Sequence, residues 1–275
     1  MRKQIAAVAV VALLLVAGCS TGGDGSATTT APEATTAAPG DATTTASGGD
    51  GGDGGDGSAV YETPLDAATV ADNHEAVLRE AGTFTLESTS NQTQGEQSFG
   101  VTSSVAADLS SGAYLSTQDA QGRTVETYGY GNGTAYQRLT LSENETQYAV
   151  PQQTTNTSQL ASGQIQQFVN GFSFEHVGAE TVDGEETDVY EADGFGDLNR
   201  SAPGFEDFSE ENVSSVTARL YITEDGLVKQ FSYELTAQTE TGEATIRLDQ
   251  RYVDVGSTDV AEPDWLDEAR ESTGE

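Results

Sequence analysis

The sequence predicts an α+β domain: a single curved antiparallel sheet, apolar on one face, covered by two or three helices and preceded by a disordered tether. Three observations predict it. Apolar residues recur with period two in several runs, most clearly at Val216, Ala218, Leu220 and Ile222. Tight-turn dipeptides separate such runs: Ser111-Gly112, Gln121-Gly122, Asn132-Gly133, Asp183-Gly184, Asp225-Gly226 and Thr241-Gly242. Asn, Asp and Gly tolerate positive φ, so these dipeptides favour hairpins and antiparallel neighbours. Stretches 64–81 and 159–170 instead place apolar residues at helical spacing.

The chain begins with Arg2 and Lys3, then an apolar run from Ile5 to Val16. Crossing a bilayer takes ~20 apolar residues, so this run is too short and suits a secretory signal. It ends in Ala17-Gly18-Cys19, a lipobox whose thiol receives a diacylglycerol-type lipid after cleavage before Cys19. A plain signal peptide with an incidental cysteine is the simpler alternative. Against it, the only cysteine of the chain stands at the one position the motif requires. No twin-Arg pair precedes the run, which favours general secretion. Residues 1–18 therefore read as a signal peptide. Residues 19–59 read as a lipid-anchored, low-complexity linker of Thr, Ala, Gly, Asp and Pro, too poor in apolar groups to offset the entropy of ordering. Forty such residues have a root-mean-square reach of ~35 Å.

Two motif matches in this stretch carry no chemistry. Residues 18–22 fit G-x-S-x-G but follow no strand. Residues 49–54 fit G-x-G-x-x-G with no strand or helix beside them. Asp50, Asp53 and Asp56 lack the spacing of a calcium loop and read as a solvated acidic linker.

The full chain of 275 residues holds 45 acidic and 11 basic residues, a formal charge of −34. Loss of residues 1–18 leaves nine basic residues and a charge of −36, with Lys229 as the only lysine. Such self-repulsion opposes a compact state in dilute buffer and is screened in molar salt. The composition points to a halophilic protein. It excludes phosphate-based nucleic-acid binding, which needs a basic face. One Cys and two His give no disulfide framework and no zinc site.

Residues 60–270 suffice for one core, with 271–275 as a tail. The helix at 64–81 starts with Pro64, stops before Gly82, and aligns Val70, His74, Val77, Leu78 and Ala81 on one face. Phe84 and Leu86 alternate with polar neighbours. So do Leu227, Phe231, Tyr233, Leu235 and Ala237, with Lys229 the exception on the apolar side. The helix at 159–170 carries Leu160, Ile165, Phe168 and Val169. Stretch 195–211 reads as a loop or a short helix.

A sheet with one apolar face must curl or be covered. With lipobox, Thr-rich tether, helix and meander in this order, the chain resembles the archaeal, haloarchaeal-type surface lipoproteins. The resemblance is most specific at Asp225-Gly226-Leu227-Val228, at Arg251-Tyr252-Val253-Asp254-Val255-Gly256 and at Glu262-Pro263-Asp264-Trp265-Leu266. Those proteins are similar in fold to periplasmic lipoprotein carriers and mycobacterial lipid-transfer lipoproteins. The resemblance implies a half-barrel of about eleven strands, with helices closing an apolar cavity. Leu78, Phe168, Phe231, Tyr233 and Leu235 are then candidates to line that cavity. No catalytic residue and no cofactor comes with the resemblance.

Residue chemistry agrees with binding rather than catalysis. His74 reads as a packed histidine with one ring hydrogen bond, and His176 lies a hundred residues away in a strand. Paired acids such as Glu185-Glu186 and Glu210-Glu211 fall in turns, where a solvated charge run is the usual meaning. Six of the eight asparagines open an Asn-x-Ser/Thr sequon: Asn91, Asn132, Asn144, Asn156, Asn199 and Asn212. Chance predicts fewer than two, so the excess indicates a glycosylated, secreted surface. The expected protein is anchored by Cys19 to the outer face of the cytoplasmic membrane and binds or carries a lipid or other hydrophobic ligand. The alternative is a structural or interaction lipoprotein with a filled core. The two differ in whether an apolar space lies open between sheet and helices. Nothing in the sequence specifies an oligomer.

Overall fold

The computed structural model describes residues 59–274 apart from 143, 144, 163, 207, 240 and 241. Cys19, the linker expected over 19–59 up to residue 58, and Asn144 lie outside the described residues.

Eleven strands form one antiparallel sheet in the order β6-β5-β4-β3-β2-β1-β11-β10-β9-β8-β7. The first meander is β1 (Thr83–Gln94), β2 (Gln97–Asp108), β3 (Tyr114–Ala120), β4 (Arg123–Gly129), β5 (Ala135–Ser142) and β6 (Glu145–Ala149). The second is β7 (Glu175–Val182), β8 (Glu185–Asp193), β9 (Val213–Thr223), β10 (Val228–Thr239) and β11 (Gly242–Val253). Each runs hairpin by hairpin from or toward the centre, where β1 pairs with β11. At the turns Gln121-Gly122 and Asp183-Gly184 both residues have positive φ, as two-residue hairpins require.

This topology places the helices. The chain leaves β6 at one edge and re-enters at β7 on the other, so the connection crosses one face. It carries helices α2 (Thr157–Ser162) and α3 (Ile165–Gly171). Helix α1 (Ala67–Ala81) packs against both and against β1. Their shared core holds Val70, Leu78, Ile165, Phe168, Phe231, Leu235 and Ile246, all buried.

Three local outcomes differ from the sequence reading. Helix α1 begins at Ala67 rather than Pro64, because Asp66 caps it: its Oδ1 accepts from Thr69 N at 2.7 Å. The helix expected over 159–170 is two helices. Gly163 separates them in sequence, and glycine inside a helix costs ~1 kcal/mol relative to alanine. Among its described residues, stretch 195–211 holds one 3-10 turn, Phe195–Asp197, and a single bridge from Leu198 to Phe172, and no longer helix or strand. Lys229 also ceases to be an exception. The register of β10 against β9 shifts between Val228 and Gln230, so Val228 and Phe231 both turn inward while Lys229 pairs with Glu185.

A fourth helix, α4 (Leu266–Thr273), was not expected, and the expected tail boundary after 270 falls inside it. It packs against β5 and β6. Trp265, Leu266 and Ala269 join Tyr128 and Tyr136 in a second core. Strand parity puts Tyr128 and Tyr136 opposite the inward residues Gly129 and Ala135, so this core lies on the outer face of the sheet. Among the described residues no helix is long and apolar enough to cross a membrane.

Candidate ligand-binding trough

The inner face divides into two parts. The closed part spans β8 to β11 and the start of β1, under α1, α2 and α3. All five expected cavity residues lie there: Leu78, Phe168, Phe231, Tyr233 and Leu235 are each at most 5% exposed. They are brought together, but as mutually packed core. Phe168 stacks on Phe231 with ring centres 4.2 Å apart and planes 15° apart. Phe172 packs on Phe231 and on Tyr233. Burial pushes the phenol pKa of Tyr233 and Tyr252 up, so both stay neutral donors. The Tyr252 hydroxyl donates to Leu160 O at 3.3 Å.

His74 sits at the base of this part. It is fully buried, and its Nδ1 accepts from Val228 N at 3.1 Å. Its ring meets Tyr252 edge-on at 4.5 Å. Burial lowers its pKa to about 3, so it is a neutral packing group. His176 is half-buried and its Nε2 lies 3.0 Å from Asp188 Oδ1, while Asp188 Oδ2 accepts from Val60 N at 2.6 Å. The Tyr190 hydroxyl adds two bonds to the Tyr61 backbone. These contacts tie the start of the described chain to β8. Among the described residues no group of three His, Cys, Asp or Glu could hold a metal ion.

The open part spans β1 to β5. The register sets inward residues in rows across the strands: Ser88, Ser103, Gln118, Val125 and Leu139 in one, Leu86, Val105, Ser116, Thr127 and Gln137 in the next. Val101 and Ala120 flank them on one side, and Phe99, 39% exposed, lies beyond. From Val101 to Leu139 these residues are half-buried rather than buried. Five strands at ~4.8 Å spacing make a floor roughly 19 Å across.

Two contacts wall this floor off from the closed part. The Tyr114 hydroxyl accepts from Thr155 N at 3.2 Å and so holds the segment that crosses from β6. On the other side Gln250 Nε2 donates to Gln164 Oε1 at 2.9 Å, at the join of α2 and α3. Both anchors are uncharged.

A family model described as a family of unknown function, DUF7537, matches residues 4–269. The chain belongs to that family. No curated protein matches it. Among solved structures the DUF7537 chain is similar to LprF from Mycobacterium bovis, at 11% identity over 72% of this chain and 96% of that one, with a TM-score of 0.37. It is similar to the lipoprotein LppX of Mycobacterium tuberculosis at 13% identity over 72% and 100%, with a TM-score of 0.32. A LolA superfamily protein from Nitrosomonas europaea matches at 13% identity over 74% and 97%, with a TM-score of 0.24.

The floor of the DUF7537 chain was not singled out from sequence, although one signal for it was present. Inward positions from Phe84 to Ala149 carry no acid except Glu145, exposed at the start of β6, and no base except Arg123 at the tip of the β3–β4 hairpin. Acids of these strands stand on the outer face, as Glu87, Asp119 and Glu126 do. There Glu87, Thr89, Thr102, Ser104, Thr117 and Asp119, with Ser88 and Ser103 between them, line a shallow groove of ~240 Å³. The expected glycosylation sites Asn91, Asn132, Asn156, Asn199 and Asn212 are all exposed. Asn156 and Asn199 also order local turns, accepting from Ser158 N and Ser201 N at 3.0 Å each.

Proposed function

We propose that the chain is a lipid-anchored, N-glycosylated surface protein that binds or carries a hydrophobic ligand on the open part of its inner sheet face. One observation carries the reading. In a chain with 45 acidic residues, the inward rows of β2 to β5, from Val101 to Leu139, are uncharged and half-buried, and the one described helix packed on these strands, α4, lies on their other face. Hydration of its apolar members, Val101, Val105, Val125 and Leu139, is unfavourable, and apolar area withdrawn from water is worth about 25 cal/mol per Å². Burying a flexible apolar chain there relieves that cost. The lipobox at Cys19 supports anchoring outside the cytoplasmic membrane. Five exposed sequons support glycosylation, and the acidic outer face supports adaptation to salt.

The role proposed is binding, not catalysis. The rival reading, an interaction protein with a filled core, draws support from the packed aromatics of the closed part. Lipid extraction and mass spectrometry of protein purified from its native membrane separate the two. A stoichiometric co-purifying apolar molecule, beyond the lipid on Cys19, is expected. Ligand-free protein in which Phe99, Val105 and Leu139 are protected from water would favour the rival.

A further inference from the structure

The charge pattern of the trough bears on which apolar ligand it takes, and the inference rests on the binding role proposed above. We infer that the trough selects an uncharged amphiphile, a long apolar chain bearing hydroxyl or ester oxygens, over an anionic one of the same length.

The floor offers both kinds of contact such a molecule needs. Val101, Val105, Val125 and Leu139 give apolar surface. Ser103, Ser116, Gln118 and Thr127 stand among them in adjacent rows, half-buried. Hydroxyls and amides both donate and accept, so they match alcohol and ester oxygens. A carboxylate or phosphate laid on the same floor sheds water and meets no cation, which is unfavourable unless it is paired.

No cation stands within the rows of the floor itself. Of the nine described basic residues, seven are already in ion pairs: Arg79, Arg138, Arg219, Lys229, Arg247, Arg251 and Arg270. Arg200 lies over the Phe195 ring. Arg123 alone has inward parity, and it stands exposed at the β3–β4 hairpin tip, at the rim beyond Val125 rather than on the floor. The surrounding field is negative as well, with a formal charge of −34 on the chain. The same groups accept either a glycerol ester or an isoprenoid alcohol, since both present neutral oxygen beside a long apolar chain.

The test is competition against a fluorescent apolar probe. It uses the mature chain from residue 19 with Cys19→Ser, in 2 M KCl at pH 8. Monopalmitoylglycerol, a C20 isoprenoid alcohol and palmitate are compared. Either neutral ligand should bind about tenfold or more tighter than palmitate. Gln118→Lys, which places a cation on the floor, should raise palmitate affinity about tenfold. Thr117→Lys, on the same strand but facing outward, should leave it unchanged. Circular dichroism checks that each variant folds. Equal or tighter binding of palmitate to the unaltered floor overturns the selectivity while leaving the trough in place. An equal response to both lysine variants moves the site elsewhere. Binding of none of the three, or displacement of the probe only by a second copy of the chain, removes the trough and the selectivity together.

Discussion

The Tyr114 ring lies so close over Gly129 that a Cβ on residue 129 would stand 2.0 Å from ring atom Cε1. The two face each other across β3 and β4, and the same tyrosine holds Thr155 of the crossing segment. Gly129→Ala should therefore push the ring aside and release that anchor. Overpacking of this kind costs about 1–3 kcal/mol. A lower urea midpoint with an unchanged m-value is expected, and an unaltered midpoint would show that the ring moves freely.

Phe231→Ala should cost about 3–5 kcal/mol, because it removes one ring of a stack inside a buried core. In a double-mutant cycle with Phe168→Ala, the coupling should be about 0.5–1.5 kcal/mol. Additive losses from the two changes would mean that the rings do not support each other.

His74 gives a pH dependence with a defined sign. Its folded pKa of about 3 lies below the unfolded value of ~6.5. Between these values the unfolded chain binds a proton that the folded chain does not. The stability that this group holds above pH ~6.5 is thus lost as pH falls, at up to about 1.4 kcal/mol per unit. His74→Asn keeps an acceptor for Val228 N and has no proton to gain. It should be less stable than wild type at pH 7.5, with the gap narrowing by pH 4.5. A constant gap would contradict this account.

Salt should stabilise the folded chain. The ion pairs on the sheet, such as Arg219 with Glu191 and Arg247 with Glu234, are partly exposed and weaken in salt. Repulsion among the far more numerous acids weakens too, and it is the larger effect at a formal charge of −34. The thermal midpoint should rise by several degrees between 0.1 M and 3 M KCl, where about 1 kcal/mol corresponds to 2–4 °C for a chain of this size. A flat or falling midpoint would point to an ordinary acidic protein.

Replacing Cys19 with Ser should abolish lipidation and release the protein from the membrane fraction. Radiolabelled lipid precursor and membrane fractionation read both effects. Continued membrane retention, with cleavage still before residue 19, would place the anchor elsewhere.

Alternation at Val216, Ala218, Leu220 and Ile222 marked β9 because each inward residue there is fully covered, which demands an apolar side chain. The single sheet and its hairpins were legible for the same reason. Helix α4 was not. Only Leu266 and Ala269 of its eight residues are buried, too few for a periodic signal. Its partners Tyr128 and Tyr136 stand in strands, where aromatic residues are common whatever they pack against. The trough was hidden by a different cause. Whether inward residues are covered depends on where the β6–β7 crossover lies, and that path is set by strand order rather than by any local run. Large inward residues such as Phe231 read as cavity lining, yet their size is what lets the helices fill that part. The smaller, mixed inward residues of β2 to β5 are the ones left open.

The pairing of β1 with β11 sets the order in which this sheet can be completed. Every other neighbouring pair is consecutive in sequence, joined by a hairpin or, between β8 and β9, by the longer stretch 194–212. The central pair alone joins Thr85 to Val253, so it waits for nearly the whole chain. Until the last strand is available, the two meanders can each assemble, and each then presents a raw inner edge, β1 on one and β10 on the other. Such edges are templates for pairing with other chains. Loss of the final twenty-odd residues strips α4 and its core from the outer face, whereas loss of thirty-odd splits the sheet down its middle.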